Sequence, residues 1–180
     1  INGDVAVNAG NLSINNAFNA AGDLTASGDI TLSGLGTLDG AAAQSIDAQG
    51  GTLTTIGLSK TVGGGGNLSL GGGTAITASG DVTVATANGD LIIVDDITTD
   101  SNLSAVRNVI FQGAGASTFN AAGAQSITAT SGAIRDTNGA VLAKSGGEYV
   151  DNGNGRQARA RHANLDSEES LAIWTWWHDM

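Results

Sequence analysis

The sequence contains no cysteine and no proline, and its 180 residues include only three Trp, one Tyr and three Phe. The lack of cysteine excludes a disulfide framework. The lack of proline suits a chain whose strands are paired on both sides, because each backbone N–H is then needed as a donor. With so few aromatics, the 41% apolar share consists mainly of Ala, Val, Ile and Leu, which suit a narrow interior of stacked aliphatic side chains.

Basic residues are scarce as well, since seven Lys and Arg face seventeen Asp and Glu, for a net charge of −10. No basic stripe is available to neutralise phosphates, which argues against nucleic acid as a partner. No apolar run reaches the roughly 18 residues of a membrane-spanning helix, so we expect no membrane span. The chain begins at Ile1 without signal-peptide regions, and we interpret it as a mature product or an excised fragment.

The sequence does contain one short phrase repeated many times, a pair of turn residues followed by an alternating strand. The phrases are Gly-Asn-Leu-Ser-Ile (10–14), Gly-Asp-Leu-Thr-Ala (22–26), Gly-Asp-Ile-Thr-Leu (28–32), Gly-Asn-Leu-Ser-Leu (66–70), Gly-Asp-Val-Thr-Val (80–84) and Ser-Asn-Leu-Ser-Ala (101–105). One such strand cannot bury a core alone, whereas stacked copies bury a continuous one. The repeat therefore predicts an all-β solenoid over residues 1–142.

Apolar–polar–apolar triplets give the predicted strands, because this period of two indicates a half-buried strand. The predicted strands start near Val5, Leu12, Leu24, Ile30, Ile46, Leu53, Leu68, Ile76, Val82, Leu91, Ile97, Leu103, Val109, Ile127, Ile134 and Val141. Two or three strands would close one coil of roughly 18–23 residues, which gives about seven coils. At about 4.8 Å per coil, the stack is a rod of roughly 34 Å.

The paired turn residues of each phrase are predicted to form the corners between strands. Glycine adopts positive φ without penalty, and Asn and Asp tolerate the left-handed region and bond their own backbone. Three of the Asn residues begin Asn-Leu-Ser sequons, namely Asn11, Asn67 and Asn102. Because they hold the position that Asp holds in the other phrases, we interpret them as corner residues rather than glycan acceptors.

These phrases, together with Ala-Gln-Ser-Ile-Thr-Ala (124–129), resemble the repeats of filamentous-haemagglutinin-type adhesins and related bacterial giant exoproteins. The resemblance covers about residues 3–142 and is one of pattern. It implies a right-handed parallel β-helix, secretion to the cell surface, and a role in adhesion or as an extended stalk. It carries no catalytic residue over to this chain.

Residues 143–180 differ in composition, and we predict a linker followed by an aromatic tail. A short helix starting near Ser167 is favoured over a strand for its last part. The tail either caps its own solenoid end or docks onto the next subunit, because an open solenoid end has to be covered and Trp and Arg are common interface anchors. The candidate residues are Tyr149, Arg156, Arg159, Arg161, Leu171, Ile173, Trp174, Trp176 and Trp177.

An acidic group, Asp95, Asp96 and Asp100 with Arg107 nearby, is similar to the acidic sites of β-helical polysaccharide hydrolases and lyases. Adjacent strand residues point to opposite faces, so Asp95 and Asp96 share a site only at a corner. We therefore expect no enzyme, unless the side chains converge within about 6–9 Å in a groove.

The candidate metal ligands and the outward threonines also lack the residue spacing that a metal site or an ordered binding surface needs. His162 and His178 have no accompanying ligand pattern, and Asp151-Asn-Gly-Asn-Gly155 lacks the EF-hand spacing, so we expect no cofactor beyond adventitious calcium. The outward threonines show no strict Thr-x-Thr register, as an ice- or polysaccharide-binding array would need, and are interpreted as ordinary surface residues. They are Thr25, Thr31, Thr77 and Thr83.

The sequence thus predicts a secreted, extracellular structural or adhesive module of a bacterial surface exoprotein. Its partners would be a host or neighbouring cell surface or a glycan. One alternative is a self-assembling filament joined through coil ends and the tail, as a homo-oligomer. The other is a polysaccharide-active enzyme, which we disfavour.

Overall fold

The computed structural model describes residues 1–61, 65–113, 116–121 and 125–136, and the backbone of 141–144 and 149–151. All regular structure in these ranges is β-strand. The strands are β1 (Val5–Val7), β2 (Leu12–Ile14), β3 (Phe18–Ala20), β4 (Leu24–Ala26), β5 (Ile30–Leu32), β6 (Gly36–Leu38), β7 (Gln44–Ala48), β8 (Thr52–Thr55), β9 (Leu58–Lys60), β10 (Leu68–Gly71), β11 (Ala75–Ala78), β12 (Val82–Val84), β13 (Leu91–Ile93), β14 (Ile97–Thr99), β15 (Leu103–Ala105), β16 (Val109–Phe111), β17 (Ala116–Phe119), β18 (Gln125–Ala129), β19 (Ile134–Asp136), β20 (Val141–Lys144) and β21 (Tyr149–Asp151).

Every third strand pairs in parallel, which makes three seven-stranded sheets. The first sheet runs from β1 to β19, the second from β2 to β20 and the third from β3 to β21, so three successive strands form one coil. The predicted β-solenoid is confirmed. Leu12 pairs with Ile30, 18 residues on, whereas Val109 pairs with Ile134, 25 residues on, so some coils are longer than predicted.

The core consists of aliphatic side chains stacked one per coil, because alternate strand residues point inward. In the second sheet, Ile30, Leu53, Ile76 and Ile97 pair in register and are fully buried. Near the other end of the stack, the rings of Phe111 and Phe119 pack edge to face with centroids 6.2 Å apart. The narrow aliphatic interior expected from the composition is therefore present.

The sequence triplets missed five strands, β3, β6, β9, β17 and β21, and four of these belong to the third sheet. For β6 and β9 the reason lies in their inward residues, whereas β3 is an apolar–polar–apolar triplet that was overlooked. Gly36 of β6 has no side chain, and a Cβ there would lie 2.6 Å from the Phe18 ring and 2.7 Å from Leu58, which fill its place. Lys60 of β9 points inward although it is charged, and it is 0% exposed. Neither residue gives an apolar–polar–apolar triplet.

The corner glycines follow two different rules. Gly10 and Gly66, which precede Asn, have φ of 115° and 68°, as predicted. Gly22, Gly28 and Gly80, which precede Asp, do not have positive φ, so the prediction was wrong for them. At each of these three, a Cβ would overlap atoms of the preceding coil, for example the Ile56 carbonyl oxygen at Gly80. Close approach between coils, rather than backbone conformation, requires glycine there.

Strands β20 and β21 continue the second and third sheets past residue 142, where the prediction placed the end of the solenoid. Tyr149, a predicted tail residue, pairs with Gln125. The part of the chain that the structure describes contains no helix long and apolar enough to cross a membrane. The remaining tail candidates lie outside the described residues, so their roles and the helix near Ser167 stay predictions. They are Arg156, Arg159, Arg161, Leu171, Ile173, Trp174, Trp176 and Trp177.

Candidate functional site

Asn and Asp side chains link successive coils at the corners. Asn67 Oδ1 accepts the Asp90 N–H at 3.0 Å, Asp90 Oδ1 accepts the Asn108 N–H at 3.0 Å, and Asn108 Oδ1 accepts the Ala133 N–H at 3.0 Å. The prediction that these side chains bond their own backbone was therefore wrong. A corner N–H has no strand partner, and a short side-chain oxygen one coil away is within reach of it.

The three sequon asparagines hold such corner positions, as predicted. Asn11 Oδ1 accepts the Asp29 N–H at 2.9 Å, and Asn102 Oδ1 accepts the Ser126 N–H at 2.9 Å and its hydroxyl at 3.0 Å. Asn67 Oδ1 likewise accepts the Asp90 N–H. The repeated Asn-or-Asp position is thus a hydrogen-bonding position between coils, which we call the corner ladder.

On the corner ladder, the Asp90 carboxylate accepts the largest number of described hydrogen bonds. Its carboxylate accepts hydrogen bonds from Arg107 Nε at 2.7 Å, from Arg107 Nη2, and from Asn108 Nδ2 at 2.8 Å. The Asp90 side chain is 6% exposed, whereas that of Arg107 is 46% exposed. The hydrogen bond from the Arg107 guanidinium holds the pKa of Asp90 below its ordinary value, more than burial raises it.

The acidic group considered for an enzyme lies at three successive corners of one coil. Asp95 Oδ2 accepts the Gly72 N–H at 2.9 Å, and Asp100 Oδ1 accepts the Ser101 hydroxyl at 3.1 Å. Arg107 pairs with Asp90 instead. These contacts engage Asp95, Asp100 and Arg107 with three separate partners.

Asp95 does influence one other carboxylate, that of Asp47 on β7. Burial raises the pKa of Asp47, and the nearby charge of Asp95 raises it further. Within the described ranges, no three His, Cys, Asp or Glu residues gather so that they could hold a metal ion. His162, His178 and the 152–155 part of the Asp151 segment lie outside those ranges.

Replacing Asp90 by Asn is expected to lower the free energy of unfolding by about 1 kcal/mol at neutral pH. Asn keeps an acceptor for the Asn108 N–H but loses the half-exposed ion pair with Arg107. The folded pKa of Asp90 lies below its unfolded value of about 3.9. The carboxylate therefore stabilises fully above that pH, and its contribution is lost as the pH falls through the folded pKa.

Urea unfolding of wild type and Asp90→Asn should thus give midpoints that approach each other between neutral pH and about pH 3. Asp4→Asn is the matched control, because Asp4 occupies the same kind of ladder position and accepts the Asp23 N–H at 2.9 Å. If the difference between the urea midpoints of wild type and Asp90→Asn stayed constant over this pH range, the stabilising role of the Asp90 carboxylate would be contradicted.

A second polar cluster lies inside the solenoid around Lys60. Lys60 is fully buried and pairs in register with Leu38 and Val84 of the neighbouring coils. Its Nζ donates to Gln44 Oε1 at 2.7 Å and to the Gly40 carbonyl oxygen at 3.1 Å. Burial lowers the pKa of Lys60, and the charges of Asp23 and Asp39 offset part of that shift. Lys60 is thus a core cation whose hydrogen bonds are made to uncharged acceptors.

Gln44 connects this cluster to the corner of the preceding coil. Its Nε2 donates to the carbonyl oxygens of Ala20 and Gly22, both at 3.0 Å, and its Oε1 accepts the Gly40 N–H at 2.9 Å. Every polar atom of the buried amide is thereby bonded.

Gln125 repeats this arrangement in the third sheet. Its Nε2 donates to the Thr99 and Ser101 carbonyl oxygens at 3.0 and 2.7 Å, and its Oε1 accepts the Ala121 N–H at 3.3 Å. Sequence reasoning missed both glutamines as buried residues, although the shared Ala-Gln-Ser-Ile segments at 43–46 and 124–127 were the available signal.

The outer faces of two sheets carry continuous rows of short polar side chains. In the second sheet the row is Ser13, Thr31, Thr54, Thr77, Thr98 and Thr118, one residue per coil. In the third sheet it is Asn19, Thr37, Ser59, Thr83, Ser104 and Thr128. We call these the hydroxyl rows. Of the threonines named from the sequence, Thr31 and Thr77 share the row of the second sheet, Thr83 lies in the row of the third sheet, and Thr25 lies in the first sheet. Unequal coil lengths hide this stacking in the sequence.

The hydroxyl rows are uncharged in a chain of net charge −10. Thr77 and Thr98 are exposed, and Ser104 Oγ donates to Thr83 Oγ1 at 3.1 Å. Such rows offer donors and acceptors at the spacing between strands, about 4.8 Å. They form the candidate binding surface of the described residues.

Comparison with protein-family models, with curated proteins and with solved structures finds no match for this chain. The resemblance to filamentous-haemagglutinin-type repeats therefore stays a prediction.

The first coil differs from the coils that follow it. Val5, Val7, Leu12 and Ile14 point toward the core but are only half-buried. Their register partners one coil on are at most 1% exposed, namely Leu24, Ala26, Ile30 and Leu32. Each of β1, β2 and β3 also pairs with only one described strand.

Proposed function

We propose that this chain is an extracellular structural and adhesive module of a bacterial surface exoprotein. The observation that carries the proposal is the combination of three continuous parallel sheets with uncharged hydroxyl rows along two of their outer faces. In a solenoid each coil contacts only its neighbours, so coils add length without changing the core. Such a rod holds a surface or a tip away from the cell.

The contacts between coils support a mechanical role. Backbone hydrogen bonds join each coil to the next along the stacking direction, and the corner ladder adds side-chain hydrogen bonds at positions where the backbone has none. In the second and third sheets the outward residues keep short polar groups in water, while the aliphatic side chains of the core stay inside. The neutral hydroxyl rows suit a neutral, hydroxyl-rich surface such as a glycan better than a charged polymer.

Adhesion is tested with beads coated with the chain and washed over glycan arrays and cultured cells. Replacing Thr77 and Thr98 by Lys should reduce bead retention several-fold, since it places two strongly hydrated charges in the hydroxyl row. The matched control replaces Ser45 and Ser69 by Lys, because these residues pair on the first sheet and point outward. Equal retention by coated and bare beads would contradict the adhesive role.

The extracellular location has its own test, in which an antibody against the chain is applied to intact and permeabilised producing cells. We expect labelling of intact cells, and labelling that requires permeabilisation contradicts the proposal. We also propose that the chain acts without catalysis, because Asp95, Asp100 and Arg107 are bound to separate partners. Release of reducing sugar from a polysaccharide panel would contradict that part.

A further inference from the structure

We propose that the outer face of the first sheet, in the fifth and sixth coils, binds the aromatic segment 167–177 of the same chain. The surface consists of Ile92, Ile110 and Val94, and we call it the isoleucine patch. This binding does not depend on the adhesive role, and it uses the one outer face that carries no hydroxyl row.

The isoleucine patch interrupts an outer face that is otherwise polar in the inner coils. In the second to fourth coils the outward residues of the first sheet are short and polar, among them Thr25 and Ser69. The next outward residues are Ile92 and Ile110, which pair with each other in register and are half-buried. Val94 follows directly after β13 and is 38% exposed. Neighbouring apolar side chains on an outer face mark an interaction surface.

The aromatic segment supplies apolar side chains of the kind that fit such a patch. It contains all three Trp of the chain, Trp174, Trp176 and Trp177, together with Leu171 and Ile173. Trp rings bury a large area when they pack on aliphatic side chains, so docking removes apolar surface of both partners from water.

The place where the described backbone ends brings this segment within reach of the patch. Strand β21 ends at Asp151 in the third sheet, and in every earlier coil the chain passes from the third sheet to the first. The patch lies one and two coils before the seventh, about 5–10 Å along the stack. Residues 152–166 can span roughly 50 Å when extended, at about 3.3 Å per residue. Length therefore does not limit the docking.

Charge favours the same placement. Arg135 pairs in register with Ile110 and is exposed on the same face. Glu168 and Glu169 directly precede the apolar part of the aromatic segment. A cation beside the patch and carboxylates beside the apolar residues of the segment give complementary charges at one end of the contact.

The test uses the fact that all Trp residues lie in the aromatic segment, so intrinsic Trp fluorescence reports on this segment alone. For the full chain, we expect emission at a shorter wavelength than from a synthetic peptide of residues 165–180. We also expect acrylamide to quench it several-fold less. Ile92→Thr combined with Ile110→Thr should raise quenching toward that of the peptide, because it places two hydroxyls in the apolar contact.

Two controls isolate the patch. Ile92→Val combined with Ile110→Val should keep the wild-type quenching, because Val has the shape of Thr but stays apolar. Leu35 and Ile56 are also exposed, at 64% and 40%, but they lie at corners of the second and third coils, far from β21. Leu35→Thr combined with Ile56→Thr should likewise leave the quenching unchanged.

Circular dichroism checks that each variant keeps its β-sheet signal. If the double Thr variant unfolds, the single variants Ile92→Thr and Ile110→Thr replace it, with intermediate quenching expected. Wild-type Trp quenched as strongly as the peptide would overturn the proposal, as would equal quenching of the Thr and Val variants of the patch. An equally large effect at Leu35 and Ile56 would also overturn it. Quenching that increases on dilution would show docking between copies and would overturn docking within one chain.

Discussion

Replacing Gly80 by Ala is expected to lower the free energy of unfolding by about 3 kcal/mol, because the added Cβ overlaps the backbone of the preceding coil. The overlapping atoms are the carbonyl oxygen and carbon of Ile56, and Gly57 Cα lies 3.2 Å away. A side chain could rotate away, but these backbone atoms move only if the two coils separate. The neighbouring Ser79 N–H donates to the Thr55 carbonyl oxygen at 3.0 Å, so such a movement also strains a hydrogen bond between coils.

The measurement is urea unfolding followed by circular dichroism, with Gly3→Ala as the control. A Cβ at Gly3 meets no atom within 4 Å, so its effect should stay within about 0.5 kcal/mol. Equal midpoints for the two variants would show that the close approach at Gly80 does not constrain the fold.

Replacing Gln44 by Leu is expected to lower the free energy of unfolding by about 3–5 kcal/mol, because it leaves four buried or half-buried polar groups without a partner or with fewer partners. These groups are the carbonyl oxygens of Ala20 and Gly22, the Gly40 N–H and the Lys60 ammonium. The ammonium contributes most, since a buried charge that loses a hydrogen bond is costlier than a neutral group. Without Gln44, the Gly40 carbonyl oxygen is its only other described acceptor.

Gln125→Leu is the matched comparison, because Gln125 makes the same kinds of backbone contact but has no described bond to a lysine. We expect a cost of about 1–3 kcal/mol there. The double variant Gln44→Leu with Lys60→Met should be less destabilised than Gln44→Leu alone, since it removes the buried charge. Equal costs at Gln44 and Gln125 would refute the special role of Lys60.

The repeat phrases predicted the parts of the fold in which local pattern and burial agree. Leu24, Ile30 and Val82 open triplets whose apolar members are all buried, and their strands lie in the structure as predicted. Asn102 was placed correctly at a corner for the same reason, since each corner directly precedes a strand. The pattern failed for β6 and β9 of the third sheet, where Gly36 and Lys60 occupy inward positions without being large and apolar.

The candidate surface was harder to predict than the strands that bear it. Thr31 and Thr77 were recognised as outward residues, but their membership in one row depends on which residues stack, and coils of 18 to 25 residues do not reveal this from spacing. Apart from Gly40, four residues before Gln44, the hydrogen-bond partners described for the side chains of Asn67, Gln44 and Lys60 likewise lie 16 to 24 residues away along the chain. No local rule connects residues across that separation.

The sequence by itself determined that this chain is a solenoid of short parallel strands, with glycine, Asn and Asp at its corners. It did so because a period of two and a repeated turn signal are local properties of the chain. Only the tertiary structure decided which residues stand above one another. That stacking created the hydroxyl rows and enclosed Lys60 with Gln44. These features arise from contacts between coils, whose register depends on the whole stack rather than on any single phrase.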